Sequence, residues 1–141
     1  MTEFKLNIQG YFRDEIRNRF PNVTCVYFVY RGILNVEENR CFLKDLIYIG
    51  QTAELNKRLS EHEKREDFLS LCEKGEMLFY TFAEIKGDED VRKRIEAALI
   101  YELRPQLNKQ AIGNFAYPVT KIIVEGNRHA FVPASIIAPS Y

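Results

Sequence analysis

Tryptophan is absent from the 141 residues, and cysteine occurs only three times, at Cys25, Cys41 and Cys72. An odd number of cysteines without metal-like spacing fits a reducing, cytoplasmic setting better than a disulfide framework. No apolar run approaches the roughly 20 residues of a membrane span, so a transmembrane reading is excluded. The opening segment MTEFKLNIQG has neither an apolar stretch nor a cleavage pattern, so no signal peptide is expected. Net charge is also missing: twenty Lys and Arg balance twenty Asp and Glu. That balance argues against a chain that coats nucleic acid indiscriminately, but leaves room for a small basic site. Internal repeats, low-complexity tracts and Ser/Gly linkers are absent.

What remains has an ordinary globular composition, 46% apolar and 28% charged, at a length that suits one domain with an appendage. The charge is uneven, at +1 over residues 1–52, −3 over 53–104 and +2 over 105–141. Residues 11–19 predict a short amphipathic helix carrying Tyr11, Phe12 and Ile16, with Phe20 following and Pro21 as its stop. Residues 23–30, rich in β-branched and aromatic side chains, predict a buried strand. Residues 45–50 predict a second strand, antiparallel to the first through an extended connection over 31–45. Residues 53–64 read as a helix with Thr52 as N-cap, and 66–74 as another. A third strand is expected over 77–85, then a long helix over 89–103 that Asp88 caps and Pro105 ends. In the tail, 119–124 and 128–132 flank Gly126-Asn127, a hairpin signal. The expected fold is α+β: a small, mainly antiparallel three-stranded central sheet flanked by helices, with a C-terminal β-hairpin extension. The expected division is an N-terminal helical extension over 1–22, a central domain over 23–110 and the extension over 111–141.

One residue is out of place in a purely structural helix. Glu96 sits inside the apolar run Ile95 to Leu103, where an unpaired carboxylate is expensive. Taken alone, a salt bridge to Arg92 or Lys93 explains it. On the 53–64 helix, Arg58 and His62 stand four apart and so share a face. Leu55 and Leu59 would anchor that helix to the sheet. Such an Arg and His can grip and polarise an anion. The plain alternative is a solvated face interleaved with Glu54, Glu61 and Glu63. Tyr27 and Tyr48 fall mid-strand, where core packing is the ordinary role. Together, two phenols, an Arg, a His and a carboxylate form a phosphate-directed set.

These residues carry a family resemblance. Cys25-Val26-Tyr27 stands where the GIY-YIG nuclease superfamily has a Gly-Ile-Tyr-like triplet, and Tyr48-Ile49-Gly50 matches its second triplet. Arg58 follows that glycine by eight residues and His62 follows by four more. Glu96, Leu99-Ile100, Pro105 and Asn108 complete the pattern, so the chain resembles that superfamily over residues 23–110. Three departures are visible: Cys25 replaces the usual glycine, the 31–45 connection is long, and Gln51 stands where some members carry a lysine.

The resemblance implies a metal-dependent DNA endonuclease with Tyr27, Tyr48, Arg58, His62 and Glu96 as catalytic residues. Glu96 would hold one divalent cation, Mg2+ or Mn2+. Tyr48 is the expected base, with Tyr27 orienting it or the water, His62 relaying the proton, and Arg58, His62 and the metal supplying the cation that helps a phenol ionise. Gly50, Gln51, Lys57 and Asn108 would support substrate or structure. Expected partners are duplex or branched DNA and a protein that supplies specificity, with no membrane. Two alternatives stay open. One is a nucleic-acid-binding module of the same fold without useful activity. The other is a cysteine enzyme using Cys25 and His62.

Overall fold

A computed structural model describes residues 1–108 and 113–140. The expected boundary between 110 and 111 lies outside the described residues. The chain runs β1 (Thr2–Arg13), a 3₁₀ turn (Asp14–Arg19), β2 (Cys25–Asn35), β3 (Arg40–Thr52), α1 (Leu55–Ser60), α2 (Arg65–Ser70), β4 (Met77–Glu84), α3 (Glu89–Leu103), β5 (Thr120–Gly126) and β6 (Ser135–Ala138). The strands form one sheet in the order β3-β2-β4-β1-β5-β6. Among the described residues, only the β1–β5 pairing is parallel.

This corrects the expected three-stranded, mainly antiparallel sheet: the sheet is six-stranded and mixed. The expected strands form its β3-β2-β4 half. The other half is built on β1, which lies where no strand was expected and where the 11–19 helix partly was. Phe4, Leu6 and Ile8 turn inward while Glu3, Lys5 and Asn7 face water, the period-two pattern of a strand. Tyr11 packs in one core layer and Phe12 in the other, which neighbouring residues do in a strand and not on one helical face. β1 then pairs with β4 on one side and with β5 on the other.

The tail is a hairpin, but its return arm is Ser135–Ala138 and not 128–132. Gly126-Asn127 does not form its turn. The Asn127 N–H donates to the Ile8 carbonyl at 2.9 Å and its side-chain amide donates to the Gly10 carbonyl, so this dipeptide is drawn onto β1. Tertiary hydrogen bonds thereby override the local turn signal.

Two core layers flank the sheet. Val26, Phe28 and Tyr30 of β2 point to the layer of α3, with Ile95, Ala98, Leu99 and Ile100. Cys25, Tyr27 and Val29 point to the opposite layer, with Leu55, Leu59, Phe68 and Tyr80. α1 has only six residues, far too few to hold by propensity alone. Burial of Leu55 and Leu59, about 1.5–3 kcal/mol each, is what keeps it in place. Thr52 does not cap it: its hydroxyl accepts from the Glu54 N–H at 3.1 Å, in the turn ahead of the helix. α3 matches its expected span. The Asp88 carboxylate accepts from the Val91 N–H at 3.0 Å, and Arg104 closes the helix in the left-handed conformation.

Candidate active site

The site forms at the edge strand β3, where the two layers meet around the sheet. Tyr27 and Gly50 are direct register partners on β2 and β3. A Cβ on Gly50 would overlap the Tyr27 Cζ and hydroxyl oxygen. The Tyr27 ring therefore lies across the glycine and carries its hydroxyl to the sheet edge. There it meets His62, with 2.7 Å between the Tyr27 hydroxyl and Nε2.

The expected placement of His62 on one helix with Arg58 is not met, because α1 ends at Ser60. His62 lies in the turn between α1 and α2, buried against Tyr27, Tyr48 and Phe68. Its Nδ1 accepts from the Lys64 N–H at 3.1 Å. The neutral ring then carries its proton on Nε2, and Nε2–H donates to the Tyr27 oxygen. Burial, reinforced by the Arg58 charge, pushes the His62 pKa down to about 4. His62 is thus neutral at pH 7 and cannot be the cation that helps a phenol ionise. That role falls to Arg58, whose charge lowers the pKa of both phenols against the burial that raises them.

Tyr27 and Tyr48 stand 6.3 Å apart, ring centre to ring centre. Both phenol pKa values are raised, chiefly by burial, and Tyr27 is the more deeply buried. Lys64 places its ammonium 5.7 Å from the Tyr48 ring centre. Lys64 was not anticipated from the sequence, nor was the pairing of Arg58 with Glu63. The Arg58 Nη2 donates to Glu63 Oε1 at 3.0 Å, and Nη1 makes a closer contact with the other oxygen. A five-residue spacing across a turn has no standard sequence signature.

Glu96 reaches the same edge from α3 and the opposite layer. Its expected salt-bridge partners are engaged elsewhere: Arg92 donates to Gln51 Oε1 at 2.9 Å, and Lys93 pairs with Glu89 at 2.6 Å. Among the described residues Glu96 has no ion-pair partner. Burial raises its pKa to about 7, against the pull of the Gln51 backbone N–H and the Arg58 and Lys93 charges. Its charge in turn raises the pKa of Tyr27 and Tyr48, so the carboxyl lies within electrostatic reach of both phenols. A half-buried carboxyl without an ion-pair partner among the described residues fits a divalent ion. Among the described residues no three His, Cys, Asp or Glu side chains gather as metal donors. Such an ion would complete its shell with water and substrate oxygens, as magnesium commonly does.

The supporting residues are spread around this edge. Asn108 binds Ile49 twice, accepting from its N–H at 2.7 Å and donating to its carbonyl at 2.8 Å. It thereby satisfies the outer side of the edge strand as another strand would. Leu107 N–H donates to the Ile47 carbonyl at 3.1 Å and extends that cover. Gln51 holds Arg92, and Lys57 is exposed on α1 beside Arg58. Cys25 is fully buried with its thiol pKa raised to about 12, so it carries no thiolate at neutral pH.

The model of the GIY-YIG catalytic domain matches residues 25–110. No curated protein and no solved structure matches the chain. The matched span holds both tyrosines, Arg58, His62, Glu96 and Asn108, and it covers more than half of the chain. The chain belongs to the GIY-YIG family.

Proposed function

We propose that this protein is a metal-dependent DNA endonuclease whose site comprises Tyr27, Tyr48, Arg58, His62 and Glu96. The family is made of endonucleases, which supports a nuclease class. The observation that carries the reading is the meeting at one sheet edge of the hydrogen-bonded Tyr27–His62 pair and a Glu96 carboxyl without an ion-pair partner among the described residues.

Glu96 would hold one magnesium or manganese ion, which when bound would supply Lewis-acid stabilisation of the leaving oxygen. Tyr48 takes the proton of the attacking water. It is the less buried of the two phenols, and it has Arg58 and the Lys64 ammonium near it to favour the phenolate. Tyr27, fixed by the His62 Nε2–H, orients the water. The Arg58 fork binds the nonbridging oxygens on which charge develops. Lys57 adds a point charge at the rim. Asn108 keeps the Tyr48-Ile49-Gly50 edge straight.

With no net charge, the chain holds DNA through these few groups, and a protein partner supplies specificity. No helix of the described residues is long and apolar enough to cross a membrane.

The test is nicking of supercoiled plasmid and of a panel of duplex and branched DNAs with magnesium or manganese. Wild-type protein cleaves only with the metal, and Glu96→Ala and Arg58→Ala each lose about 10²–10³-fold. Full-rate cleavage in both variants overturns the reading. Salt-sensitive DNA binding with no cleavage in any metal instead identifies a nucleic-acid-binding module.

A further inference from the structure

Arg58, the phosphate clamp of the proposed nuclease, already has an anion. Glu63 engages both terminal nitrogens of its guanidinium in the two-pronged geometry that arginine uses for carboxylate and phosphate alike. The two partners are held very differently. Arg58 rises from a helix pinned by Leu55 and Leu59, and its side chain is 27% exposed. Glu63 lies in the turn after His62, and its side chain is 65% exposed. Among the described residues Glu63 has no other side-chain partner. The arginine is therefore positioned by the fold, and the glutamate by the arginine.

This arrangement puts a carboxylate in the seat where a phosphodiester would sit. We propose that Glu63 is an internal phosphate mimic that competes with nucleic acid for Arg58, so that the site opens only to a backbone delivered with further contacts. The inference rests on the reading of Arg58 as the phosphate clamp. An exposed pair is a modest barrier, strong enough to reject a single weakly held phosphate and weak enough to yield to a docked substrate. Glu61, two residues earlier in the same turn, is exposed and makes no ion pair among the described residues, so it offers a control of equal charge.

The experiment measures binding of a short fluorescent duplex by anisotropy across a salt series, for wild type, Glu63→Gln, Glu61→Gln, Arg58→Gln and the Glu63→Gln/Arg58→Gln double variant. Glu63→Gln binds about fivefold tighter, the upper range for releasing an exposed ion pair. Its log–log salt dependence steepens by about 0.9, the value of one added phosphate contact. Glu61→Gln shows neither change, and the gain disappears in the Arg58→Gln background. Wild-type affinity in Glu63→Gln overturns the proposal, as does an equal gain in Glu61→Gln or in the double variant.

A second arm titrates inorganic phosphate and follows the Arg58 Nε–H signal by NMR. The signal of Glu63→Gln shifts at lower phosphate than that of wild type, and coincident titrations overturn the mimic. If no protein binds or cleaves DNA, the nuclease reading fails, and the phosphate arm still decides the role of Glu63.

Discussion

The ring of Tyr27 lies across Gly50, its register partner on the neighbouring strand, and only the missing Cβ allows it. The glycine of the second triplet thus serves the tyrosine of the first. Gly50→Ala should push the Tyr27 ring off the edge and break its bond to His62. The expected cost is about 1–3 kcal/mol, as for other overpacked sites. Calorimetry and the His62 ring signals in NMR check it; an unshifted melting temperature with an intact Tyr27–His62 bond would contradict the packing argument.

The two phenols should fail differently. Tyr48→Phe removes the proposed base and should lower the cleavage rate by about 10²-fold or more, with little change in stability. Tyr27→Phe leaves the His62 Nε2–H buried without its acceptor and should cost about 1–3 kcal/mol of stability as well as rate. Single-turnover cleavage and melting curves on both variants separate the roles. The reverse pattern would exchange them.

His62 sets a pH dependence of stability. Its folded pKa of about 4 lies below the unfolded value of 6.5. Between those values the unfolded chain binds more protons, so stability is full above about pH 6.5 and is lost as pH falls toward 4. His129 is shifted in the same direction, so the comparison must be made between wild type and His62→Phe. Denaturant midpoints from pH 4 to 8 should fall less steeply on acidification in His62→Phe. Parallel curves would remove His62 as a source of the slope.

Asn108→Ala strips both partners from Ile49 on the outer side of β3. Leaving a buried N–H and a carbonyl unsatisfied should cost about 2–4 kcal/mol. Amide exchange should accelerate at Ile49 before it does in β4. Uniform acceleration across the sheet would place the effect on global stability alone.

Much of the sheet half that bears the site was legible from local pattern. The apolar CVYFVY run is a strand buried on both faces, and α3 begins at the Asp88 cap and ends before Pro105. The rest depended on partners remote in sequence. β1 is hard to read locally because its alternation is short and runs directly into Tyr11 and Phe12, whose spacing also fits a helix. The Gly126-Asn127 signal misled because β1 captures that dipeptide. The oddity of Glu96 was visible as a carboxyl in an apolar run. That Arg92 and Lys93 do not neutralise it was not, since Arg92 finds Gln51 across 41 residues.

The order of the motifs, the strands β2, β3 and β4, the long helix and the residue types of the candidate site are legible in the amino-acid order alone. Those properties follow from periodicity, capping and spacing, all of which act within a few turns of chain. Only the tertiary structure decided that Tyr27 meets His62 over Gly50, that His62 is a neutral donor, that Glu96 is left without an ion-pair partner among the described residues and that Arg58 is held by Glu63. Those outcomes come from competition among distant donors, acceptors and charges for one another, and burial, which no local window contains, sets the winner.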